Sequence, residues 1–215
     1  MAVAAGVLAR GPWPVARVST RWLEECFEPE SHHDAAADAA VEALQERGSP
    51  SHDGLAARLA GYRADPERLE LELQPMRWSL RLVEGGASDS LTALTVVRSA
   101  DGRWLAGRRA PWVATWAGRW ALGAGGSVEV GENPATTLTR ELEEEWSLEP
   151  ERITVEALAR LPSGLTVLVG LAWLTEGAEP VPDAEHDAWA WWPKDVGQWP
   201  EEATAPLRRM AELLA

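Results

Sequence analysis

The sequence predicts an α+β protein of the α/β/α type, in which helices sandwich a mixed β-sheet. Strand-like runs lie both before and after a breaker-free helical segment at 135–146, and a second helical segment at 201–214 closes the chain. Because each helix must bury an apolar face, two helices placed in this way can cover a central sheet. A helical and hairpin-forming extension precedes this pattern.

The C-terminal elements follow from hydrophobic alternation and from turn signals. Asp101-Gly102 separates two apolar runs and predicts a hairpin. Asn133-Pro134 marks the start of the central helix, because proline is favoured in the first helical turn. The expected elements are strands at 91–99, 103–109, 120–123, 153–161, 165–174 and 188–192, and a closing helix at 201–214.

The chain divides into residues 1–88, an N-terminal extension, and residues 89–215, the unit that carries the chemistry. A linker at 84–90, with Gly85-Gly86, separates them. The extension has three candidate roles: covering an active site, mediating a homodimer, or extending the sheet.

Four elements are expected within the N-terminal extension. Apolar and polar residues alternate through 69–83, which predicts a half-buried hairpin turning at Gln74-Pro75. An Ala-rich run predicts a helix that stops before Gly48 and Pro50. The remaining expectations place a strand at 13–20, that Ala-rich helix at 34–45 and a short helix at 53–63.

The charge balance narrows the choice of partner. The 34 aspartates and glutamates outnumber the 20 lysines and arginines, which gives a net charge of −14. Nucleic-acid polymers are bound largely through basic patches, so no such partner is expected. A small phosphorylated substrate remains compatible, because a bound cation reverses the local field.

Cysteine usage and hydropathy predict the compartment. Cys26 is the only cysteine in the sequence, which excludes an internal disulfide framework and fits a reducing environment. The apolar stretch at 2–9 lacks a basic segment and is too short to span a membrane. We therefore expect a soluble cytoplasmic protein without a membrane partner.

Three glutamates on the central helix form an acidic cluster. Glu141, Glu144 and Glu145 have i, i+3, i+4 spacing, which puts them on one face, opposite Leu138 and Leu142. Like charges at this spacing repel by roughly 0.2–0.5 kcal/mol per pair. Oxygen ligands without histidine or cysteine suit Mg²⁺ or Mn²⁺, although most Glu-rich helical stretches are simply solvated faces.

The residues upstream of this cluster favour the metal site, because the stretch resembles the signature of the Nudix hydrolases. That signature is Gly, five residues, Glu, seven residues, then Arg-Glu-hydrophobic-any-Glu-Glu-any-Gly-hydrophobic. Eight of its nine fixed positions match here: Gly126, Glu132, Arg140, Glu141, Leu142, Glu144, Glu145 and Leu148. Ser147 replaces the glycine that lets the chain leave the helix in a left-handed conformation, which costs a serine about 1 kcal/mol.

The resemblance implies a Nudix-type α/β/α sandwich and metal-dependent hydrolysis of the pyrophosphate linkage in a nucleoside diphosphate joined to another moiety. ADP-ribose, a dinucleotide, a nucleotide sugar and a nucleoside triphosphate are candidate substrates. By position, the metal ligands are Glu141, Glu144 and Glu145, with Glu144 and Glu145 as the central pair. The general base is one of these carboxylates or a later acid, for which Glu185 is the candidate; a solvated acidic loop is the alternative at that position.

Other positions support the site. Arg140 is expected to point away from the ligand face and to pair with Glu132, which holds the loop against the helix. Gly125 and Gly126 let the backbone approach a ligand closely. A mixture of cationic and aromatic residues before the glycines could hold a phosphate and stack on a base, or could simply pack in the core: Arg108, Arg109, Trp112 and Trp116.

Two other functions are compatible with this sequence. The first is a protein that keeps the fold and senses a nucleotide without cleaving it, but the signature retains all of its carboxylates. The second resembles the isopentenyl diphosphate isomerases, which have a related signature. The catalytic cysteine expected before the signature in that class is absent, because Cys26 lies far upstream.

Overall fold

The structure is a computed structural model, and it describes residues 5–49, 53–85 and 89–214. Eleven strands and three α-helices lie in these ranges. The strands are β1 Gly6–Pro14, β2 Val18–Trp22, β3 Leu55–Ala64, β4 Leu69–Arg77, β5 Leu91–Arg98, β6 Trp104–Arg109, β7 Trp120–Leu122, β8 Ala124–Ser127, β9 Arg152–Arg160, β10 Thr166–Trp173 and β11 His186–Trp192. The helices are α1 Ser31–Glu46, α2 Pro134–Trp146 and α3 Ala205–Leu214.

The larger sheet is mixed, as the sequence predicted. Its strand order is β1-β9-β10-β5-β6-β11, with β7 paired to β6 and β8 paired to β5. Strands β10 and β5 are parallel, whereas β9 is antiparallel to both β1 and β10. Strand β8 was not among the expected strands, and it pairs with β5 from Ala124 to Ser127.

Helices cover both faces of this sheet, which confirms the sandwich. Leu138 and Leu142 of α2 are fully buried against one face. Leu207 and Ala211 of α3 pack with Trp192 against the other face. Helix α3 begins at Ala205, four residues later than expected. None of the described helices combines the length and apolar character that crossing a membrane requires.

A smaller sheet, with the order β2-β4-β3, corrects two expectations for the extension. The short helix expected at 53–63 is wrong, because this segment is β3 and pairs antiparallel with β4. The hairpin at Gln74-Pro75 is also wrong, because β4 continues through both residues. Pro75 lies past the end of β2, which stops opposite Leu73, so β4 has a strand neighbour on only one side there.

The strand expected at 13–20 is divided in two. A 3₁₀ turn at Val15–Arg17 separates β1 from β2. Strand β1 pairs with β9 at the edge of the larger sheet, and β2 pairs with β4 in the smaller one. The N-terminal extension therefore adds a strand to the larger sheet and builds a second sheet beside it.

One apolar cluster joins the two sheets. Trp13 and Leu73 from the extension are buried together with Ala93, Leu138 and Val155 from the C-terminal part. Backbone hydrogen bonds reinforce the contact, since the N–H of Ala57 donates to the carbonyl of Val128 at 2.9 Å. Residues 86–88 of the expected linker lie outside the described residues, so a boundary at 88 stays a prediction.

Candidate active site

Helix α2 is fixed at its first residue. The Asn133 side-chain oxygen accepts a hydrogen bond from the N–H of Ala135 at 3.0 Å, which caps the helix, and Pro134 occupies the first turn. The Asn133 amide also donates to the carbonyl of Val18 at 2.9 Å. The cap thus ties the start of α2 to β2 of the extension.

The other end of α2 uses the serine in place of glycine. Ser147 has φ 52° and ψ 41°, which is the left-handed conformation expected at this position. Its N–H donates to the carbonyl of Glu143 at 2.8 Å, and the N–H of Leu148 reaches the carbonyl of Leu142 at 3.5 Å. The serine therefore ends the helix in the same way as the usual glycine would.

The three glutamates of α2 differ in burial. Glu141 and Glu145 are 9% and 5% exposed, whereas the Glu144 side chain is 58% exposed. Residues four apart on a helix differ by about 40° in direction, but Glu144 and Glu145 differ by about 100°. Glu141 and Glu145 consequently lie under β8, and Glu144 faces solvent.

Strand β8 lies directly over the two buried carboxylates. The N–H of Gly125 donates to Glu145 Oε1 at 3.2 Å. A Cβ at position 126 would collide with the carboxylate of Glu141, so a larger residue there would force that carboxylate to move. The close backbone approach expected of Gly125 and Gly126 is thus made to these carboxylates.

Arg140 holds the acidic residues together. Its Nε lies 3.1 Å from Glu132 Oε1, which is the expected pair. Its Nη1 also lies 2.8 Å from Glu141 Oε1 and 2.9 Å from Glu144 Oε2. The expectation that Arg140 points away from the ligand face is therefore wrong, because its long side chain lies against both of these carboxylates and neutralises them.

A second arginine approaches Glu145 from β6. Arg109 Nη1 lies 3.7 Å from Glu145 Oε2, and its Nη2 lies 2.8 Å from Glu185 Oε2. The buried ring of His186 places Nε2 3.7 Å from Glu145 Oε2 and Nδ1 3.3 Å from Asp183. Glu185 thus joins the site despite its distance in sequence from α2.

Burial shifts the pKa values of the titratable side chains in this site. It raises the pKa of Glu141 to about 7; Arg140 opposes this shift, and the negative charge of Glu144 adds to it. Burial also raises the pKa of Glu145 well above its ordinary value, against the opposing effect of Arg109. The pKa of His186 is lowered by burial and then by Arg109. The site therefore holds carboxylates whose ionised forms lack full compensation.

These residues line a cavity of about 1490 Å³. It brings together most of the residues expected from the sequence: Gly125, Gly126, Arg140, Glu141, Glu145, Glu185, Arg109, Trp112 and Trp116. Three expected residues lie outside its lining. Glu132 supports Arg140 from behind, Glu144 faces solvent, and Arg108 pairs with Asp187 at 2.6 Å.

The extension supplies lining residues that the sequence did not reveal. Trp78 and Arg81, on the 3₁₀ turn Trp78–Leu82 after β4, both donate hydrogen bonds to Ser127 Oγ of β8. His186 was also missed, although it adjoins Glu185. No local motif marks these positions, because they reach the site only through long-range packing.

With this geometry in place, comparison with known proteins identifies the family. A family model described as NUDIX domain matches residues 90–214, which is more than half of the chain. The chain belongs to the Nudix family. A comparison with curated protein sequences returned no match. The segment from Gly126 to Leu148 is therefore the Nudix box of this chain, and α2 is its Nudix helix.

Solved structures resemble part of the chain. The MutT protein from Methanosarcina mazei is 21% identical, with 57% of this chain and 92% of that chain covered and a TM-score of 0.43. The NUDIX domain of Shewanella oneidensis NrtR, in complex with ADP ribose, is 23% identical, with 58% and 88% covered and a TM-score of 0.45. A C. elegans Ap4A hydrolase is 21% identical, with 57% and 92% covered and a TM-score of 0.45.

Nudix hydrolases generally use divalent metal ions, and the donors of this site can be tested for fit. Within the described residues, no three histidine, cysteine, aspartate or glutamate side chains form a preassembled metal-binding group. Mg²⁺ usually takes one or two protein carboxylates and completes its coordination with water and substrate phosphate. Glu141 and Glu145, both buried in one cavity and only partly compensated, match that smaller requirement.

Proposed function

We propose that this protein hydrolyses the pyrophosphate linkage of a small compound in which a nucleoside diphosphate is joined to another moiety. Its Nudix family membership supports hydrolysis of nucleotide-linked pyrophosphates in general. The observation that carries the proposal is the pair of buried carboxylates, Glu141 and Glu145, facing one cavity under the glycines of β8. Burying two partly compensated carboxylates is unfavourable, and a bound cation would remove that cost.

The proposed metal ligands are Glu141, Glu144 and Glu145. Glu141 and Glu145 have support from their place in the cavity. Glu144 would join them by turning away from Arg140, which its solvent exposure permits. When bound, Mg²⁺ or Mn²⁺ supplies positive charge that neutralises the phosphate oxygens of the substrate.

The chain's own residues would then carry the proton. A water molecule attacks one phosphorus, the anhydride P–O bond breaks, and a carboxylate accepts the proton that the water loses. Glu141 is the first candidate for this role, because its buried carboxylate lines the cavity in which the substrate would bind. Glu185 is the alternative base, and an ion pair with Arg109 at 2.8 Å holds its carboxylate at the site. Glu144 is the third candidate from the sequence.

The rest of the substrate is proposed to bind beside the glycines. Trp112 and Trp116 line the cavity, and Trp116 is 43% exposed, so its ring is accessible for stacking on a base. Arg109 lines the same cavity, and its Nη1 lies 3.7 Å from Glu145 Oε2. Arg108 was also expected to bind substrate, and it would first have to leave Asp187.

We also propose that the two parts of the chain have different roles. Residues 89–215 would carry the hydrolytic machinery, and residues 1–88 would cover one side of the active site. Gly54 and Leu55 of the extension support this role, because they line the same cavity as Glu141.

The proposal is tested by measuring the products released from a panel of compounds: ADP-ribose, dinucleotides, nucleotide sugars and nucleoside triphosphates. Each compound is incubated with Mg²⁺, with Mn²⁺ and with a chelator. Metal-dependent cleavage of one class well above the others is expected, and it would name the substrate. Metal-assisted binding of a compound without any cleavage would refute the hydrolase and favour a nucleotide sensor.

A further inference from the structure

Arg81 is a cation of the cavity that comes from outside the Nudix domain. It lies on the 3₁₀ turn Trp78–Leu82, directly after β4. Its Nη1 donates a hydrogen bond to Ser127 Oγ, and Trp78 Nε1 donates to the same oxygen at 3.0 Å. Ser127 follows Gly126, the glycine that lies against the carboxylate of Glu141. The guanidinium of Arg81 is thus delivered to the edge of the acidic site.

The charge of Arg81 is not matched by an ion pair. Within the described residues, no carboxylate makes a salt bridge with it, although the negative charge of Glu141 acts on it. The neighbouring cavity arginines differ in this respect, because Arg109 pairs with Glu185 at 2.8 Å and Arg140 pairs with Glu132 at 3.1 Å. Arg81 therefore has donor capacity that the protein leaves unused.

The surroundings of Arg81 make an unpaired charge unfavourable. Burial lowers the pKa of Arg81 to about 10, against the opposing effect of Glu141, and the side chain stays charged at neutral pH. A guanidinium has five N–H donors in a fixed fork, of which Ser127 accepts one. An anion with several oxygens in the cavity would satisfy the remaining donors, and phosphate matches the fork geometry.

We propose that Arg81 binds a phosphate oxygen of the substrate, so that the N-terminal extension supplies an anion-binding group to the Nudix site. The inference rests on the proposed function, since it assigns a contact to the same pyrophosphate substrate. The phosphates would lie between the carboxylates of α2, with their cation, and the guanidinium of Arg81. Such opposed charges would hold the pyrophosphate in one orientation.

A purely structural role for Arg81 makes a different prediction. If the arginine only fastened the 3₁₀ turn to β8, its loss would lower stability without a specific effect on phosphate binding. Trp78 already makes the same connection to Ser127, so the turn keeps one anchor when Arg81 is replaced. Ligand affinity and thermal stability therefore separate the two roles.

The test is calorimetric binding of methylenediphosphonate, whose P–C–P bridge resists hydrolysis, in the presence of Mg²⁺. Arg81→Met should weaken binding by about tenfold to a hundredfold, the usual loss for a charged hydrogen bond. Arg81→Lys keeps the positive charge but lacks the guanidinium fork, so its affinity should lie between those of the wild type and Arg81→Met. Arg21→Met is the matched control, because Arg21 is exposed and pairs with Glu72 away from the cavity. The affinity of this variant for methylenediphosphonate should equal that of the wild type.

Each outcome bears on Arg81 separately from the hydrolytic reaction. Equal affinity of wild type and both Arg81 variants would overturn the proposal, and so would no binding to the wild type at millimolar concentrations. If Arg81→Met fails to fold, as judged by its circular dichroism spectrum, the Arg81→Lys comparison decides. If the wild type binds the diphosphonate through Arg81 but cleaves no compound of the panel, the anion site stands and the proposed hydrolase fails.

Discussion

Two buried carboxylates one helical turn apart dominate the chemistry at the scale of single residues. Glu141 and Glu145 of α2 are as deeply buried as hydrophobic core residues usually are. Arg140 and Arg109 each provide one compensating charge, but both arginines also pair with other acids. The remaining imbalance appears as raised pKa values at both glutamates, and it is the physical reason for expecting a cation.

Glu141 should make the metal-free protein less stable as the pH rises. Its pKa in the folded protein is about 7, above the ordinary 4.5, so the folded protein keeps a proton that the unfolded chain has already lost. The stability that this retained proton contributes is fully present below pH 4.5, and it is lost as the pH rises through 7. Since one pKa unit equals about 1.4 kcal/mol, the loss is on the order of 3 kcal/mol.

Urea unfolding with chelator, at about pH 5 and about pH 8, measures this effect. Wild type should lose roughly 1–3 kcal/mol more than Glu141→Gln across this interval, because glutamine does not titrate. Adding Mg²⁺ at the higher pH should restore part of the loss in the wild type only. Parallel pH dependence of the two proteins would contradict the burial of an uncompensated Glu141 carboxyl.

Glu144→Gln should keep the fold and lower turnover by orders of magnitude. The side chain faces solvent, its pair with Arg140 is worth under about 1 kcal/mol, and glutamine is a good helix former. Glu143→Gln is the matched control, since Glu143 is an exposed neighbour on the same helix and makes the same charge change. A near-normal rate for Glu144→Gln would remove Glu144 from the ligand set.

The residues found from the sequence are those whose partners lie at fixed short spacings. Glu132, Arg140, Glu141 and Glu145 sit on one loop and helix, where spacing determines neighbours. Arg81 could not be found in this way, because a strand and a separate sheet carry it to Ser127. The unequal burial of Glu144 and Glu145 was missed as well, because it depends on where β8 crosses α2.

At the scale of elements, strong local signals were sufficient for some segments and misleading for others. The start at Asn133-Pro134 was predicted, since a helix start is decided by local backbone chemistry, whereas the sequence left open whether Ser147 would adopt the left-handed exit that the structure shows. The segment at 53–63, most of which became β3, contains leucines, alanines and arginines that favour a helix by propensity. Pairing with β4 along its whole length outweighed that propensity, as tertiary context commonly does.

Ser147→Gly should stabilise the protein. The left-handed φ of 52° is strained for serine and natural for glycine, and the gain is about 0.5–1 kcal/mol once the greater freedom of glycine in the unfolded chain is subtracted. Ser147→Val should be destabilising, because a branched side chain tolerates this conformation poorly. The free energy of unfolding in urea measures both, and a glycine variant less stable than the wild type would contradict the account of the helix exit.

At the scale of the whole molecule, the extension and the Nudix domain are joined by a shared apolar cluster and by a shared sheet. The division into units at 1–88 and 89–215 stays a prediction about function, because residues of both units share one apolar cluster. The cytoplasmic compartment and a homodimer stay predictions. Long-range contacts of this kind leave no local pattern, which explains why the role of the extension stayed open at the level of sequence.

A shared core predicts one cooperative unfolding transition. Trp13→Ala should lower the free energy of unfolding by about 3–5 kcal/mol, because the buried Trp13 packs against both parts of the chain. Val181→Ala, at an exposed position, should change it by less than about 0.5 kcal/mol. Far-ultraviolet circular dichroism and methylenediphosphonate binding should lose signal at the same urea concentration. Two separate midpoints would show that the extension and the Nudix domain unfold independently.

The most direct test of the central claim is the rate of anhydride cleavage by Glu145→Gln, compared with wild type and Glu143→Gln at saturating Mg²⁺. Glu145 is the most buried carboxylate of α2. It accepts a hydrogen bond from the N–H of Gly125, which fixes its oxygens in the cavity. The account predicts a loss of at least about a hundredfold for Glu145→Gln, with Glu143→Gln unchanged. A Glu145→Gln protein that folds and cleaves the substrate at the wild-type rate would contradict a metal-dependent site built on the buried carboxylates.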